Sequence, residues 1–185
     1  MKLNLGCGHH KIEGFVNVDK CGKPDLLCDL EDLPWPWKDN SVSEVLFNHS
    51  LEHMGETSGK FLGIMKELYR VCRSEATVHI NAPYPRHDNY MIDPTHVRMI
   101  NPHMLIMFSR KDNERVIREN LANSTLGMDI GVDFEMLSIS IDVDENFSNR
   151  IPPGKQTIED ILNLCSVYNN LIKEFRIILN VVKTP

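Results

Sequence analysis

Gly6, Cys7 and Gly8 interrupt one apolar run, and Asp19 closes the next, within the stretch LNLGCGHHKIEGFVNVD (Leu3–Asp19). Glycine at the end of a strand lets backbone approach a ligand closely. A carboxylate at the neighbouring strand end can accept hydrogen bonds from both hydroxyls of a ribose. The pairing suits a ligand that contains a nucleoside, held beyond the carboxyl ends of parallel strands. It does not suit a dinucleotide: the third glycine of G-x-G-x-x-G is replaced by Lys11, and Asp19 follows too soon. No G-K-[ST] follows either, so this is not a phosphate loop.

A second set of reactive residues lies further on. His49 and His53 in NHSLEHM are four apart, so they share a face if a helix starts there. His87, Asp93, His96 and Arg98 fall within HDNYMIDPTHVR. Two histidines and a carboxylate are metal-ligand types, but no third ligand at a fixed spacing accompanies them, and no metal is assigned. The same residues suit a polar lid over a substrate, with Arg98 able to pair with a carboxylate or phosphate. Cys7 has no partnered base and reads as a small residue beside the glycines. Trp35 and Trp37 in LPWPW read as buried caps of the sheet, with stacking on a base edge as the other use.

These groups need a scaffold. Short apolar runs at Lys2–Leu5, Phe15–Asp19, Leu26–Leu30, Ser43–Asn48 and Thr77–Ala82 read as strands buried on both faces. Between the last two, Phe61, Leu62, Met65, Leu68, Tyr69 and Cys72 recur at helical spacing, so Gly59–Cys72 reads as a helix in a right-handed parallel crossover. Pro83–Pro102 has no period and reads as a long loop, functional or mobile. Short helices are expected over Pro102–Phe108 and Asp112–Asn123, a strand over Phe134–Val143, a helix over Thr157–Ile172 with apolar residues from Ile158 to Ile172, and a strand over Phe175–Val182. The order implies one α/β domain spanning residues 1–185: an open, mostly parallel, seven-stranded Rossmann-like sheet with a last antiparallel strand and helices on both faces. Nine residues, Gly6–Gly14, separate the first two strands, too few for an ordinary helical crossover, so one sheet face stands uncovered unless a partner subunit or the His-rich loop covers it.

The 185 residues carry a net charge of −6, which argues against a nucleic-acid partner held through a broad basic face. Five cysteines without CxxC spacing read as reduced thiols. No apolar run approaches membrane-spanning length, and the first strand starts almost at Met1, so the expectation is a cytoplasmic chain without leader or membrane contact.

LNLGCG, VNVD and DLEDLPWPWKDNSVSEVLFNHSLEHM, with the later DPTHVRMINP, resemble class I S-adenosylmethionine-dependent methyltransferases, especially the compact subgroup with a short first crossover. The resemblance covers Lys2–Phe108 and implies S-adenosyl-L-methionine as cofactor. It implies that Gly6, Cys7 and Gly8 border the methionine part, that Asn4 also belongs to the cofactor site, and that Asp19 holds the ribose. Asp29 and Leu30 then border the adenine, and Asn48, His49 and Leu51 line the reaction centre. Methyl transfer from a sulfonium chiefly needs alignment, and a base only for a weakly acidic hydroxyl or a protonated amine. His49 and His96 are the catalytic candidates; Tyr84, His87, His96 and Arg98 are the candidate acceptor contacts. NAPY (Asn81–Tyr84) is similar to a motif of nucleic-acid amino-methyltransferases, but follows the fifth strand rather than the fourth, which excludes that assignment. The implied acceptor is a small polar molecule, a sugar or sugar nucleotide among the options. The alternatives are an inactive cofactor-binding partner subunit and, disfavoured by the missing glycine, a nicotinamide oxidoreductase. A homo-oligomer or a partner protein is compatible with the apolar stripe of the Thr157–Ile172 segment.

Overall fold

Seven strands form one sheet in the order β3-β2-β1-β4-β5-β7-β6. The computed structural model describes residues 1–148 and 157–183. The strands are β1 (Lys2–Leu5), β2 (Val16–Asp19), β3 (Leu26–Leu27), β4 (Val42–Asn48), β5 (Cys72–Pro83), β6 (Phe134–Val143) and β7 (Ile172–Val181). β1 to β5 pair in parallel, and β7 runs antiparallel to both β5 and β6. Helices flank the sheet: α1 (Ser58–Val71), α2 (Asp88–Met91), α3 (Pro102–Ile106), α4 (Arg110–Arg118), α5 (Leu126–Ile130), α6 (Glu145–Ser148) and α7 (Ile158–Leu164). A 3₁₀ turn, Leu51–His53, follows β4. Parallel strands covered on their faces must be apolar, and Leu3, Leu5, Val45, Phe47, Val78 and Ile80 are fully buried. Phe61, Ile64, Met65 and Leu68 of α1 join that core. Thr57 caps α1 by accepting from the Lys60 amide.

The link between β1 and β2 contains no helix. Its place is taken by a polar network built on two buried asparagines that sit side by side in the β1–β2 register, Asn4 and Asn17. Asn4 Nδ2 donates to Asn17 Oδ1 and to the His10 carbonyl, both at 2.9 Å. Asn17 Oδ1 also accepts from the Ile12 amide, and Asn17 Nδ2 donates to Asp25. The alternation in LNL and VNV thus places apolar residues on one face and the loop-holding amides on the other. Removing the Asn17 amide strands buried donors and acceptors, so Asn17→Ala should lose about 2 kcal/mol of stability in urea unfolding.

Asp25 closes this network. It accepts from Lys11 Nζ at 2.6 Å and from the Asn17 amide and side chain. The Lys11 ammonium foremost, then Asn17, pulls its carboxyl down to about 2. An unfolded aspartate titrates near about 3.9. The stabilisation is therefore complete above that value and is lost as pH falls through the folded value. Asp25→Asn should flatten the fall in melting temperature between about pH 4 and pH 2, measured against the unsubstituted chain.

Several boundaries differ from the sequence reading. β3 ends at Leu27, not Leu30, because Asp29 accepts from the Glu31 amide and turns the chain. The segment read as a helix over Thr157–Ile172 is helical only to Leu164. Asn170 has a left-handed φ of 60°, and Ile172 pairs with Val143 as the first residue of β7. The side chain of Ile158, counted in that stripe, lies outside the described residues. α4 starts two residues earlier than expected, where Ser109 caps it, and stops at Arg118. β5 begins at Cys72, directly on the end of α1. No helix among the described residues is long and apolar enough to cross a membrane.

Candidate functional site

A crevice of about 280 Å³ opens at the carboxyl ends of the parallel strands, lined by Gly6, Gly8, Asp19, Asp29, Leu30 and His49, all expected there. Lys20, Cys28, Glu31, Ser50, His53 and Met54 complete it.

The turn after β1 is fixed from two sides. The amides of Gly6 and Cys7 both donate to the Val18 carbonyl of β2, at 2.9 and 3.0 Å. Gly6 has a φ of 69°, and a Cβ on it would fall 2.5 Å from Ser50 Cβ. Ser50 is held in place by donating from Oγ to the Leu5 carbonyl at 2.7 Å. Only glycine meets both demands.

Asp19 ends β2 beside this turn. Its Oδ2 accepts from the Gly8 amide at 2.8 Å and its Oδ1 from the Cys21 amide at 3.1 Å. Burial raises its carboxyl pKa, but the amides of Gly8 and Cys21 outweigh that and leave it below the usual carboxylate value. The group is a fixed anion with lone pairs to spare, because a carboxylate accepts at about four positions. Opposite, Glu31 accepts from the Gly55 amide and from Lys60 Nζ, both at 2.7 Å. Lys60 foremost, then Gly55, lowers its pKa.

His49 follows β4 with a φ of 51°. Its Nε2 lies 3.0 Å from Glu174 Oε2 of β7, and its Nδ1 lies 3.6 Å from Glu52 Oε1. The Glu52 carboxylate foremost, with Glu174, raises the imidazole pKa against the opposing effect of burial. His49 and His53 also border a second hollow of about 470 Å³, shared with Glu52, Pro83, Asn89, Asp93, His96, Lys173 and Glu174. The two hollows therefore meet at His49 and His53.

Other expected site residues stand elsewhere. Asn4 is committed to the loop network behind the crevice. Leu51 is fully buried in the core. Cys7 is buried, and that burial raises its thiol pKa, which does not suit a nucleophile. Asn48 accepts from Asn81 Nδ2 at 2.9 Å across β4 and β5. Of the expected acceptor contacts, only His96 borders the second hollow. Tyr84 packs edge-on against Phe175. His87 caps α2, and its Nε2 meets Asp144 at 3.2 Å. Arg98 lies over the Phe61 ring and donates to the Gly55 carbonyl, holding the turn before α1. Trp35 and Trp37 are buried edge to face, with Trp35 Nε1 donating to the Leu30 carbonyl.

Sequence reading missed Glu31 and Glu174. Glu31 could have been found from DLED, two residues past Asp29 at the same strand end. Glu174 had no such signal, because β7 reaches His49 only through its pairing with β5.

No protein-family model and no curated protein matches the sequence. Solved structures do. A SAM-dependent methyltransferase from Archaeoglobus fulgidus aligns over 97% of this chain and 85% of its own, with 18% identity and a TM-score of 0.64. One from Methanosarcina mazei aligns over 99% and 92%, with 14% identity and a TM-score of 0.56. The 1,6-didemethyltoxoflavin-N1-methyltransferase of Burkholderia thailandensis, solved with its namesake compound and S-adenosylhomocysteine, aligns over 98% and 71%, with 10% identity and a TM-score of 0.52. Strand order, the antiparallel β7 and these likenesses together give this chain the class I S-adenosylmethionine-dependent methyltransferase fold.

Proposed function

We propose that the protein is a methyltransferase that uses S-adenosyl-L-methionine to methylate an oxygen or nitrogen of a small polar molecule, with sugars and sugar nucleotides as the first class to test. The observation that carries this reading is the crevice at the carboxyl ends of β1, β2 and β4, where a glycine turn and a fixed carboxylate stand side by side. Asp19 would take the ribose hydroxyls, Gly6 and Gly8 the amino-acid tail, and Asp29 and Leu30 the adenine edge. Asp29 sits one residue past Cys28, whose amide donates to the Asp19 carbonyl, so the adenine and ribose contacts come from adjacent strand ends.

The acceptor would occupy the second hollow, whose walls are polar and whose size suits a small molecule. His49, at the junction of the two hollows, stands where a base could take a proton from an acceptor hydroxyl as its oxygen attacks the methyl group. His96 contributes to the acceptor side. Alignment of donor and acceptor, rather than acid–base chemistry, would supply most of the acceleration.

The test is turnover. The chain is incubated with S-adenosylmethionine and a panel of sugars, sugar nucleotides, small amines and hydroxy compounds, with mass-spectrometric detection of S-adenosylhomocysteine and of an acceptor heavier by one methyl group. Acceptor-dependent formation of both products is the expected result. Binding of the donor with no turnover on any acceptor would contradict catalysis.

A further inference from the structure

We infer that Glu52, His53 and His96 form a binding site for a divalent transition ion of the zinc type. Each of the three places one ligand-capable atom within 4.8 Å of the others. Glu52 is fully buried, yet neither of its carboxylate oxygens has a hydrogen-bond partner. A buried carboxylate needs a compensating charge or donor. His49 Nδ1 stands 3.6 Å from Glu52 Oε1, near enough for an ion pair when the imidazole is protonated but too long for a hydrogen bond, and Oε2 has no hydrogen-bond partner at all. Arg98 makes no hydrogen bond to Glu52: its guanidinium lies over Phe61 and donates to the Gly55 carbonyl, and its own Nε is buried without a partner.

Both imidazoles are prepared as ligands by their second contacts. His96 Nδ1 lies 2.8 Å from the Tyr90 carbonyl, which can only accept, so Nδ1 carries the proton and Nε2 keeps its lone pair. His53 Nδ1 lies 2.9 Å from Thr95 Oγ1. The single Thr95 hydroxyl proton is already donated to Asp93 Oδ1 at 2.6 Å. His53 Nδ1 is therefore the donor to Thr95, and its Nε2 is also free. Metal-bound histidines are oriented in this way, by donating the other ring N–H to a fixed acceptor. His96 is also stacked on Tyr90, which sets its plane.

The site is assembled by the fold. Glu52 and His53 come from the 3₁₀ turn after β4, and His96 from the long segment after β5. The Glu52 carbonyl accepts from the amides of both Val97 and Arg98, at 2.9 and 3.0 Å, which fastens that segment over the turn. Asp93 Oδ2 stands 3.9 Å from His96 Nε2, within reach as a fourth donor. Two imidazoles with a carboxylate favour zinc, cobalt or ferrous iron over magnesium or calcium, which prefer oxygen ligands throughout. All four residues line the second hollow. An ion held there would present its open position to an acceptor oxygen; that role rests on the methyltransferase reading, whereas the binding of the ion does not.

The experiment is calorimetric titration of chelator-stripped full-length chain with Zn²⁺, with Co²⁺ visible absorption as a second probe. Binding of one equivalent is expected. His96→Ala and Glu52→Gln should each weaken it by about a hundredfold or more, while His103→Ala, an exposed histidine on α3, should not. Should Glu52→Gln fail to fold, His96→Ala on the covering segment carries the test. Absence of Zn²⁺ and Co²⁺ binding, or binding that survives these substitutions, overturns the site. S-adenosylmethionine is titrated separately: donor binding without Zn²⁺ binding overturns the metal site alone, and Zn²⁺ binding without donor binding overturns the cofactor reading alone.

Discussion

Gly6→Ala should cost about 2–5 kcal/mol of stability and abolish binding in the crevice. Two separate terms add. A non-glycine residue at a φ of 69° is held in left-handed backbone, worth about 1–2 kcal/mol. The new Cβ would also stand 2.5 Å from Ser50 Cβ, inside contact distance of an atom fixed to backbone. Relieving an overlap of that kind costs about 1–3 kcal/mol. Gly8 is the internal control. Its φ is also positive, at 53°, but a Cβ there meets nothing within 4 Å. Gly8→Ala should therefore lose only the backbone term. Urea unfolding of both variants separates the two contributions. Ser50→Gly in the Gly6→Ala background should recover part of the loss, a coupling that a double-mutant cycle reads directly.

Asp19→Ala should weaken S-adenosylmethionine binding by about ten- to a hundredfold, the worth of one charge-assisted hydrogen bond at about 1.5–3 kcal/mol. The carboxylate has a second duty, because it also holds the amides of Gly8 and Cys21. Asp19→Asn separates the two roles. It keeps one accepting oxygen and the side-chain shape while removing the charge, so its loss should fall between those of the unsubstituted chain and Asp19→Ala. Calorimetry gives the affinities, and thermal unfolding shows how much of each change is loosening of the loop. Equal affinity in all three proteins would remove Asp19 from the site.

The sheet was legible where burial on both faces forces an apolar run. SEVLFN and TVHINA could hardly be anything but central strands, and β4 and β5 contain them. The alternation in Phe134–Val143 was equally clear, and β6 has those bounds. The glycine turn and Asp19 were legible because strand ends in such a sheet face one edge. Less of the covering layer could be read. Ile172 falls on the helical stripe of the preceding segment by coincidence of spacing, and tertiary pairing with Val143 decides its state. Asn4 was assigned to the ligand on the family resemblance, whereas its amide supports the helix-free link to β2. A one-dimensional reading could not tell which face of β1 it occupies without knowing where that link runs. Glu52 shows the same limit more sharply. Nothing in LEH marks it as buried; in the structure it is fully buried, and Val97 and Arg98, distant in sequence, bond to its carbonyl. Arg98 and His87 were legible as polar residues of a mobile-looking loop, but each is committed to holding backbone or a neighbouring carboxylate.

The central claim is that the crevice beside Gly6, Gly8 and Asp19 holds S-adenosylmethionine. Calorimetric titration of the full chain with S-adenosylmethionine, and in parallel with S-adenosylhomocysteine, tests it most directly. Saturable binding of both at a single site, weakened by Asp19→Ala, is the predicted result. No heat from either compound, in a chain that unfolds cooperatively, would contradict it.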